Sequence, residues 1–431
     1  MKKDITYKEL FKVWGHVALN SFGGPAGQIA VIHKLVVEDK KIVSEERFLH
    51  ALNFCMLLPG PEAQQLATYM GWMMKKWKGG LIAGALFILP GFLSILLLSY
   101  LYVLYNDTSL VQGLFYGIKP AIIAIVLAAL YRISKKSLNN GFYWCLAIYA
   151  FLSLFIFNIA FPIVVISSGL LGVIYGKFSK TLDHNNEVLE EVMPKTLHTI
   201  KTLFTWLTIW FFPVLIVYLI FGSQSNFHTI NTFFSKMSLV TFGGAYAALS
   251  YVAQEAVNVY GWLQGNEMLD GLALAESTPG PLIQVVQYVG FMGAYRFPGE
   301  FNPLLSAFIG SILTTWMTFA PCFLFIFTLA PYVEFIRGKK VFSDALKAIT
   351  ASVVGVIFNL SLWFVLNSLF LKTQNFNFTI ANFNLPVLSS LDYFAALICI
   401  IAMIMQFKLK LNIYKILMAC IILGMIGKYF F

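Results

Sequence analysis

Uninterrupted apolar runs long enough to cross a bilayer as helices occur at roughly 80–105, 112–133, 142–158, 160–176 and 200–222. Further runs lie at roughly 303–330, 345–368, 391–407 and 411–430. Four other hydrophobic stretches, near 7–33, 50–74, 230–254 and 268–292, carry helix-breaking residues at or near their middles. The pattern counts six segments, one more at 200–222, then six again. A polar stretch at 177–199 (Lys177, Lys180, Asp183, Glu187, Glu190, Glu191, Lys195) separates the halves. The expected organisation is a first repeat over 1–176, a linker with its own membrane helix over 177–229, and a second repeat over 230–431.

The breaks recur in register. Ser21-Phe22-Gly23-Gly24-Pro25 returns as Thr241-Phe242-Gly243-Gly244-Ala245, and Pro59-Gly60-Pro61 as Pro279-Gly280-Pro281, both displaced by 220 positions. Two motifs at one offset mean two copies of one membrane unit. Proline removes a backbone donor and disfavours helix in the residue before it, while glycine weakens helix and admits unusual φ/ψ. Each break therefore ends one half-helix and starts another. In lipid that is tolerated only where the break is buried in protein or lines a wet cavity. A half-helix starting at Pro25 or Pro61 aims free N–H groups and a positive dipole end at such a cavity, so four breaks meeting near the midplane would suit an oxyanion. Simple packing kinks are the competing reading. Duplication of both motifs favours function, and repeated membrane units with broken helices are typical of secondary transporters.

Composition agrees. With 431 residues, 59% hydrophobic, 12% charged and a mean hydropathy of +0.76, the chain reads as an all-α polytopic membrane protein. The N-terminus lacks a cleavable signal, so the first segment is expected to be retained. The net charge of +10 is spread over short loops. Loops at 132–136, 177–201, 337–347 and 408–415 are basic, whereas 106–111, 223–230 and 373–390 contain no Lys or Arg. The positive-inside rule then places the N-terminus in the cytoplasm and the C-terminus outside. One extra segment between two even repeats inverts the second copy. The loop inside each broken pair agrees: Lys34, Lys40, Lys41 and Arg47 in the first repeat, no Lys or Arg at 254–267 in the second. Re-entrant hairpins and four complete spanning helices both fit these charges; the lysines at 2–8 and 75–78 favour re-entrant hairpins. Scattered cysteines and histidines predict no metal, no nucleotide-binding motif predicts no cofactor and no ATP-driven step, and basic loops beside lipid replace any nucleic-acid partner.

Polar side chains flank the breaks. Asn20, Ser21, Gln28, Gln64, Gln65, Ser277, Thr278, Gln284 and Gln287 can donate hydrogen bonds to an anion, and Gln64 and Gln284 are repeat-equivalent. The expected substrate-binding set is Ser21, Phe22, Gly23, Gly24, Pro25, Gln28, Pro59, Gly60, Pro61 and Gln64 from the first repeat. The second contributes Thr241, Gly243, Gly244, Ser277, Thr278, Pro279, Gly280, Pro281 and Gln284. Glu62 and Glu276 are candidate proton carriers, because a carboxylate at depth is expensive and tends to titrate. Asp270 is read as lying nearer the loop. Lys119 and Lys347 open apolar segments, where they either attract an anion or snorkel to the interface.

The run Ser21 to Pro25, the run Met56-Leu57-Leu58-Pro59-Gly60-Pro61-Glu62-Ala63-Gln64-Gln65-Leu66-Ala67, and their counterparts Thr241 to Tyr246 and Leu274 to Pro281 resemble the chromate transporter family, in its long, two-repeat form. Lys41 precedes Ile42-Val43-Ser44 where the family generally carries a Trp, which survives as Trp262 in the second copy. The resemblance implies a secondary transporter that exports chromate across a bacterial inner membrane, driven by protons or membrane potential. It also implies chromate or a sulfate-like oxyanion, protons and the bilayer as partners, with a homodimer left open. An anion channel remains an alternative. An intramembrane enzyme would need a nucleophile–base pair or a metal cluster, and the sequence offers neither.

Overall fold

In a computed structural model of the chain, which describes residues 5–22, 24–178, 196–242, 244–332, 340–377 and 382–430, each of the four breaks ends one helix and begins another. α1 (Tyr7–Asn20) enters the first Gly-Gly break and α2 (Gly24–His33) leaves it, extended by a π turn over Lys34–Asp39. α3 (Glu45–Cys55) enters the first Pro-Gly-Pro break and α4 (Glu62–Tyr105) leaves it. α5 (Ser109–Ser137), α6 (Gly141–Phe155) and α7 (Phe161–Phe178) complete the half, and α8 (Thr196–Phe221) is the linking helix. The order then returns: α9 (Asn226–Val240), α10 (Ala245–Gln254) with its own π turn over Glu255–Val259, and α11 (Gly265–Ser277). α12 (Val285–Arg296) and α13 (Pro303–Leu329) follow, then α14 (Lys340–Leu369), α15 (Tyr393–Met403) and α16 (Ile413–Phe430).

Local chemistry fixes the helix starts. Thr6 and Glu9 form a capping box at α1: Thr6 N–H donates to Glu9 Oε2 at 2.9 Å and Glu9 N–H to Thr6 Oγ1 at 3.2 Å. At α11, Gln264 N–H donates to Glu267 Oε2 at 2.7 Å.

The helices flanking each break lie antiparallel, so each pair is a hairpin with a motif at its tip. Phe233 of α9 meets Tyr251 of α10 with ring centroids 5.4 Å apart. Phe54 of α3 meets Tyr69 of α4 at the same separation. Arg296 at the end of α12 donates to Glu267 at the start of α11, 2.6 Å away. Val13 of α1 and Leu35, just past α2, wall the same small cavity. With 14 and 11 residues in α1 and α3, and 10 in α2 followed by 6 in its π turn, these arms reach only about 17–24 Å at ~1.5 Å per residue, short of a hydrocarbon core ~30 Å thick.

α4 is not one rod. At Lys75 (φ −140°, ψ 32°) and Lys76 (φ 54°, ψ −147°) the helix reverses, and Gly79 packs on Gly71 while Gly80 packs on Thr68. Between α12 and α13 the stretch 297–302 makes the matching reversal, bringing Gly290 against Gly310. The later helices are exchanged between halves. α5 packs on α15 and α16, α14 packs on α6 and α7, and glycines allow the closest approaches (Gly117 on Cys420, Gly172 on Ala348, Gly355 on Ala147).

Among the described residues six helical stretches are long and apolar enough to cross a membrane: Glu62–Tyr105, Ser109–Ser137, Phe161–Phe178, Thr199–Phe221, Pro303–Tyr332 and Ser343–Leu369. The segments expected at 142–158 and 391–407 are shorter apolar helices. One element departs from the all-α expectation. Thr373–Asn377 pairs antiparallel with Asn382–Pro386, with Thr373 opposite Pro386. Both strands are rich in Asn, a poor helix former, and lie in the polar stretch between apolar segments. Most of the charged linker, together with Arg337 and Lys339, lies outside the described residues.

Candidate functional site

The four tips meet in pairs that cross between the halves. Gly60 N–H donates to the Thr241 carbonyl at 2.7 Å, and Gly280 N–H donates to the Ser21 carbonyl at 2.8 Å. The Pro-Gly-Pro tip of each repeat thus bonds the Gly-Gly tip of the other, in the reciprocal manner of a two-fold contact. Gly60 (φ 118°) and Gly280 (φ 107°) hold a conformation that L side chains rarely adopt. Gly280 also lies against the backbone of Gly91, where an added Cβ would come within 3.0 Å. Gln28 reaches across to the same tip, its Nε2 donating to the Gly280 carbonyl at 2.7 Å. Gln65 Nε2 donates to the Pro59 carbonyl at 2.7 Å.

The hydroxyls of the predicted set turn back onto their own helices. Ser21 bonds the carbonyl of Val17, Thr241 that of Met237, Ser277 that of Leu274 and Thr278 that of Ala275. Asn20 bonds the carbonyl of His16 and is exposed. Phe22 packs edge-on against Tyr414 at 5.4 Å. Gly23 and Gly243 lie outside the described residues. Pro25 stands in the first turn of α2, and the starts of α4 at Pro61, of α10 at Gly244 and of the turn into α12 at Pro281 carry no side-chain cap. Their first-turn N–H groups are left for backbone, water or a ligand.

Buried amides surround these starts. Gln64 Nε2 donates to Thr68 and Gln284 Nε2 to Gln287 Oε1, while the Oε1 atoms of Gln64, Gln65 and Gln284 have no partner. Gln64, bonded to a hydroxyl, can be read the other way round to present an N–H₂ donor at that place, whereas Gln65 and Gln284 are held in orientation by the carbonyl oxygens to which they donate. Gln287 in turn donates to Ser311 and to the Phe92 carbonyl.

Two carboxylates stand at the tips. Glu276, 2% exposed, accepts from the Tyr246 hydroxyl at 2.6 Å through Oε1, and its Oε2 has no partner. Tyr246 belongs to the opposite hairpin of the same repeat, so this bond joins the two crossed tip pairs. Glu62 begins α4 and is half-buried. The end of α5 brings cations towards both: Arg132 interacts electrostatically with Glu276, and Lys136 with Glu62.

The two lysines part company. Lys347 is exposed. Lys119 turns inward and its Nζ lies 3.1 Å from Asp270 Oδ1, an ion pair between α5 and α11. The Tyr102 hydroxyl donates to Asp270 Oδ2 at 2.9 Å. Asp270, set aside in the sequence as the acid nearer the loop, is buried, and its partners lie 151 and 168 positions away in the other repeat. Sequence reading also did not single out Tyr246, which meets Glu276 from another hairpin of the same repeat, or Arg132, which approaches Glu276 from the other repeat. Their one local signal was an ionisable or hydroxyl side chain inside or beside an apolar run.

Long apolar helices interlocked around buried polar tips define a multi-pass helical membrane protein. Residues 8–173 and 228–425 match the chromate transporter family, and the chain belongs to that family. It is 30% identical over 355 residues to a chromate transport protein of Pseudomonas aeruginosa, covering 82% of this chain and 80% of that one. A probable chromate transport protein of Synechococcus elongatus is 28% identical over 352 residues, 81% of this chain and 82% of that one. An uncharacterized transporter of Bacillus subtilis, YwrB, is 27% identical over 179 residues, 41% of this chain but 89% of its own length. A relative with the length of one repeat is what duplication leads one to expect. No solved structure matches the chain.

Proposed function

We propose that this protein is a secondary transporter that exports chromate, or a sulfate-like dianion of the same shape and charge, across a bacterial inner membrane. The two repeats, 1–176 and 230–431, sit inverted on either side of the linker. Their hairpins re-enter the membrane from opposite faces, and the four tips form the substrate site. The reciprocal bonds Gly60 to Thr241 and Gly280 to Ser21 carry this reading, because each joins a tip of one repeat to a tip of the other. Inverted repeats with half-helix ends at a shared midplane site are a common plan for such transporters.

Uncapped helix starts and the amide of Gln64 would take the oxygens of the anion. Arg132 and Lys136 at the end of α5, on the side read as cytoplasmic, draw it in. Ionised carboxylates at Glu62 and Glu276 repel a dianion, so their protonated forms accept it more readily, whichever group moves the coupled proton. With the cell interior negative, a dianion leaves downhill by about 4.6 kcal/mol per 100 mV, at ~2.3 kcal/mol per charge.

Radiolabelled chromate uptake into everted membrane vesicles tests the reading, with sulfate in parallel. Glu276→Gln and Gly280→Leu are expected to transport less than wild type. If both match wild type, the site is not at the tips. Uptake of sulfate alone would change the substrate.

A further inference from the structure

The Lys119–Asp270 pair is the most deeply buried ion pair among the described residues, and the tip site leaves it unused. Asp270 exposes 4% of its side chain and Lys119 19%. The pair stands apart from the tips: Asp270 precedes Glu276 by six residues on α11, about 9 Å at ~1.5 Å per residue. α5 and α11 both begin at loops without Lys or Arg, 106–111 and 254–267, which places the pair in the outward half under the topology proposed above.

Its surroundings are built rather than incidental. From α4 comes Tyr102, bonded to Asp270 Oδ2, and from α12 comes Tyr288, whose buried ring lies 5.5 Å from that of Tyr102. On α11 itself Glu267 is held by Arg296 of α12, so it does not compete for Lys119. α14 brings Trp363 and Asn367 to the start of α11 at Gly265. Asp270 therefore bonds directly to one cation and one phenol, and the Tyr288 phenol and the Glu267 carboxylate are the next titratable groups around it.

The geometry points to Asp270 as the proton-carrying group of the transport cycle, with Lys119 as its alternate partner; the inference rests on the transport reading above. A proton adds to the Asp270 carboxylate, no other covalent bond changes, and the Lys119 ammonium keeps its charge. The cluster passes from neutral to a single positive charge, and α11 loses the contact that pins it to α5. Both states are tolerable. The carboxylate is neutralised by Lys119, and the protonated acid keeps Tyr102 while the more exposed Lys119 extends to the interface. A tip carboxylate lacks that arrangement, since among the described residues Glu276 has Tyr246 as its one hydrogen-bond partner. Because α11 carries Asp270 at its middle and Glu276 beside the Pro-Gly-Pro tip at its end, release of the pair frees the helix that forms one wall of the anion site.

The test uses full-length protein in liposomes, with a trapped pH dye and the membrane potential clamped. Two quantities are read: exchange of labelled chromate against unlabelled chromate, and proton movement driven by a chromate gradient. Asp270→Asn is expected to keep exchange and lose proton movement, and Asp270→Glu to recover it. Asp270→Asn combined with Lys119→Gln, which strands no ammonium, is expected to behave like Asp270→Asn. Proton movement persisting in either neutral variant would overturn the inference. So would loss of exchange in both, which would make the pair a structural clamp, or wild type that exchanges chromate yet moves no protons. Wild type that exchanges neither chromate nor sulfate would instead sink the transport reading.

Discussion

The approach of the Gly280 backbone to that of Gly91 yields the sharpest stability prediction. Gly280 has φ 107°, and a Cβ there would stand 3.0 Å from Gly91 Cα and 3.1 Å from Gly91 N. Forcing a side chain into that φ costs about 1–3 kcal/mol. Gly91 lies inside α4 and its backbone cannot rotate away, so overpacking adds about 1–3 kcal/mol. Gly280→Ala should therefore lose about 2–6 kcal/mol in total. At the matching tip Gly60→Ala meets Gln65 Nε2 at 3.0 Å and Cys322 Sγ at 3.1 Å, both side-chain atoms that can turn aside. Gly299 (φ 62°) has nothing within 4 Å and serves as a control for backbone strain alone. The expected order of damage is Gly280→Ala, then Gly60→Ala, then Gly299→Ala. Thermal unfolding in detergent with a thiol-reactive dye reads this directly, because Cys55, Cys322, Cys399 and Cys420 are buried and Cys145 is exposed. Cys145→Ser removes the background. Equal melting temperatures for Gly280→Ala and Gly299→Ala would refute the tip geometry.

Other outcomes test neighbouring contacts. Gln28→Leu strips the Gly280 carbonyl of its partner and should destabilise the protein by about 1–3 kcal/mol in the same dye assay; no change would mean that this cross-repeat bond does not form. Tyr246→Phe leaves both Glu276 oxygens unpaired and should lower chromate uptake in everted vesicles, and unchanged uptake would remove that pair from the site. In a background without native cysteines, Lys40→Cys and Asn258→Cys should be labelled by impermeant reagent from opposite faces of the membrane. Labelling of both from one face would rule out inversion.

The sequence made the scaffold legible where it carried local signals. Pro59-Gly60-Pro61 and Pro279-Gly280-Pro281 announce a break by chain chemistry alone, and the structure interrupts its helices there. Lys75-Lys76 between two apolar runs likewise announces a turn. Pairings between halves carry no such signal. Lys119 reads as an interfacial cation until Asp270 is beside it. The hydroxyls of Ser21 and Thr241 read as ligand donors, yet each is satisfied by the carbonyl four residues back. A chain-local reading finds which backbone is broken; which side chain has spare hydrogen-bonding capacity depends on packing from elements that are distant in sequence.

The scaffold is nearly two-fold, but its charges are not, and under the proposed transport function that difference would give the cycle a direction. Backbone bonds at the tips are reciprocal, and so is the exchange of α6 and α7 for α15 and α16. By the 220-residue offset, however, Glu276 corresponds to Met56, Tyr246 to Ala26, Glu62 to Leu282 and Asp270 to His50. Were the charges symmetric as well, tilting the hairpins towards either face would cost the same, and no ion would favour one state over the other. A ligand shifts a two-state equilibrium only by its differential affinity for the two states. In the proposed topology Asp270 and Lys119 lie on one side of the tips and Arg132 and Lys136 on the other, so protons from outside and anions from inside would meet different partners. On the transport reading proposed above, the duplicated backbone would supply two states of similar energy, and the unduplicated charges would let a solute gradient choose between them.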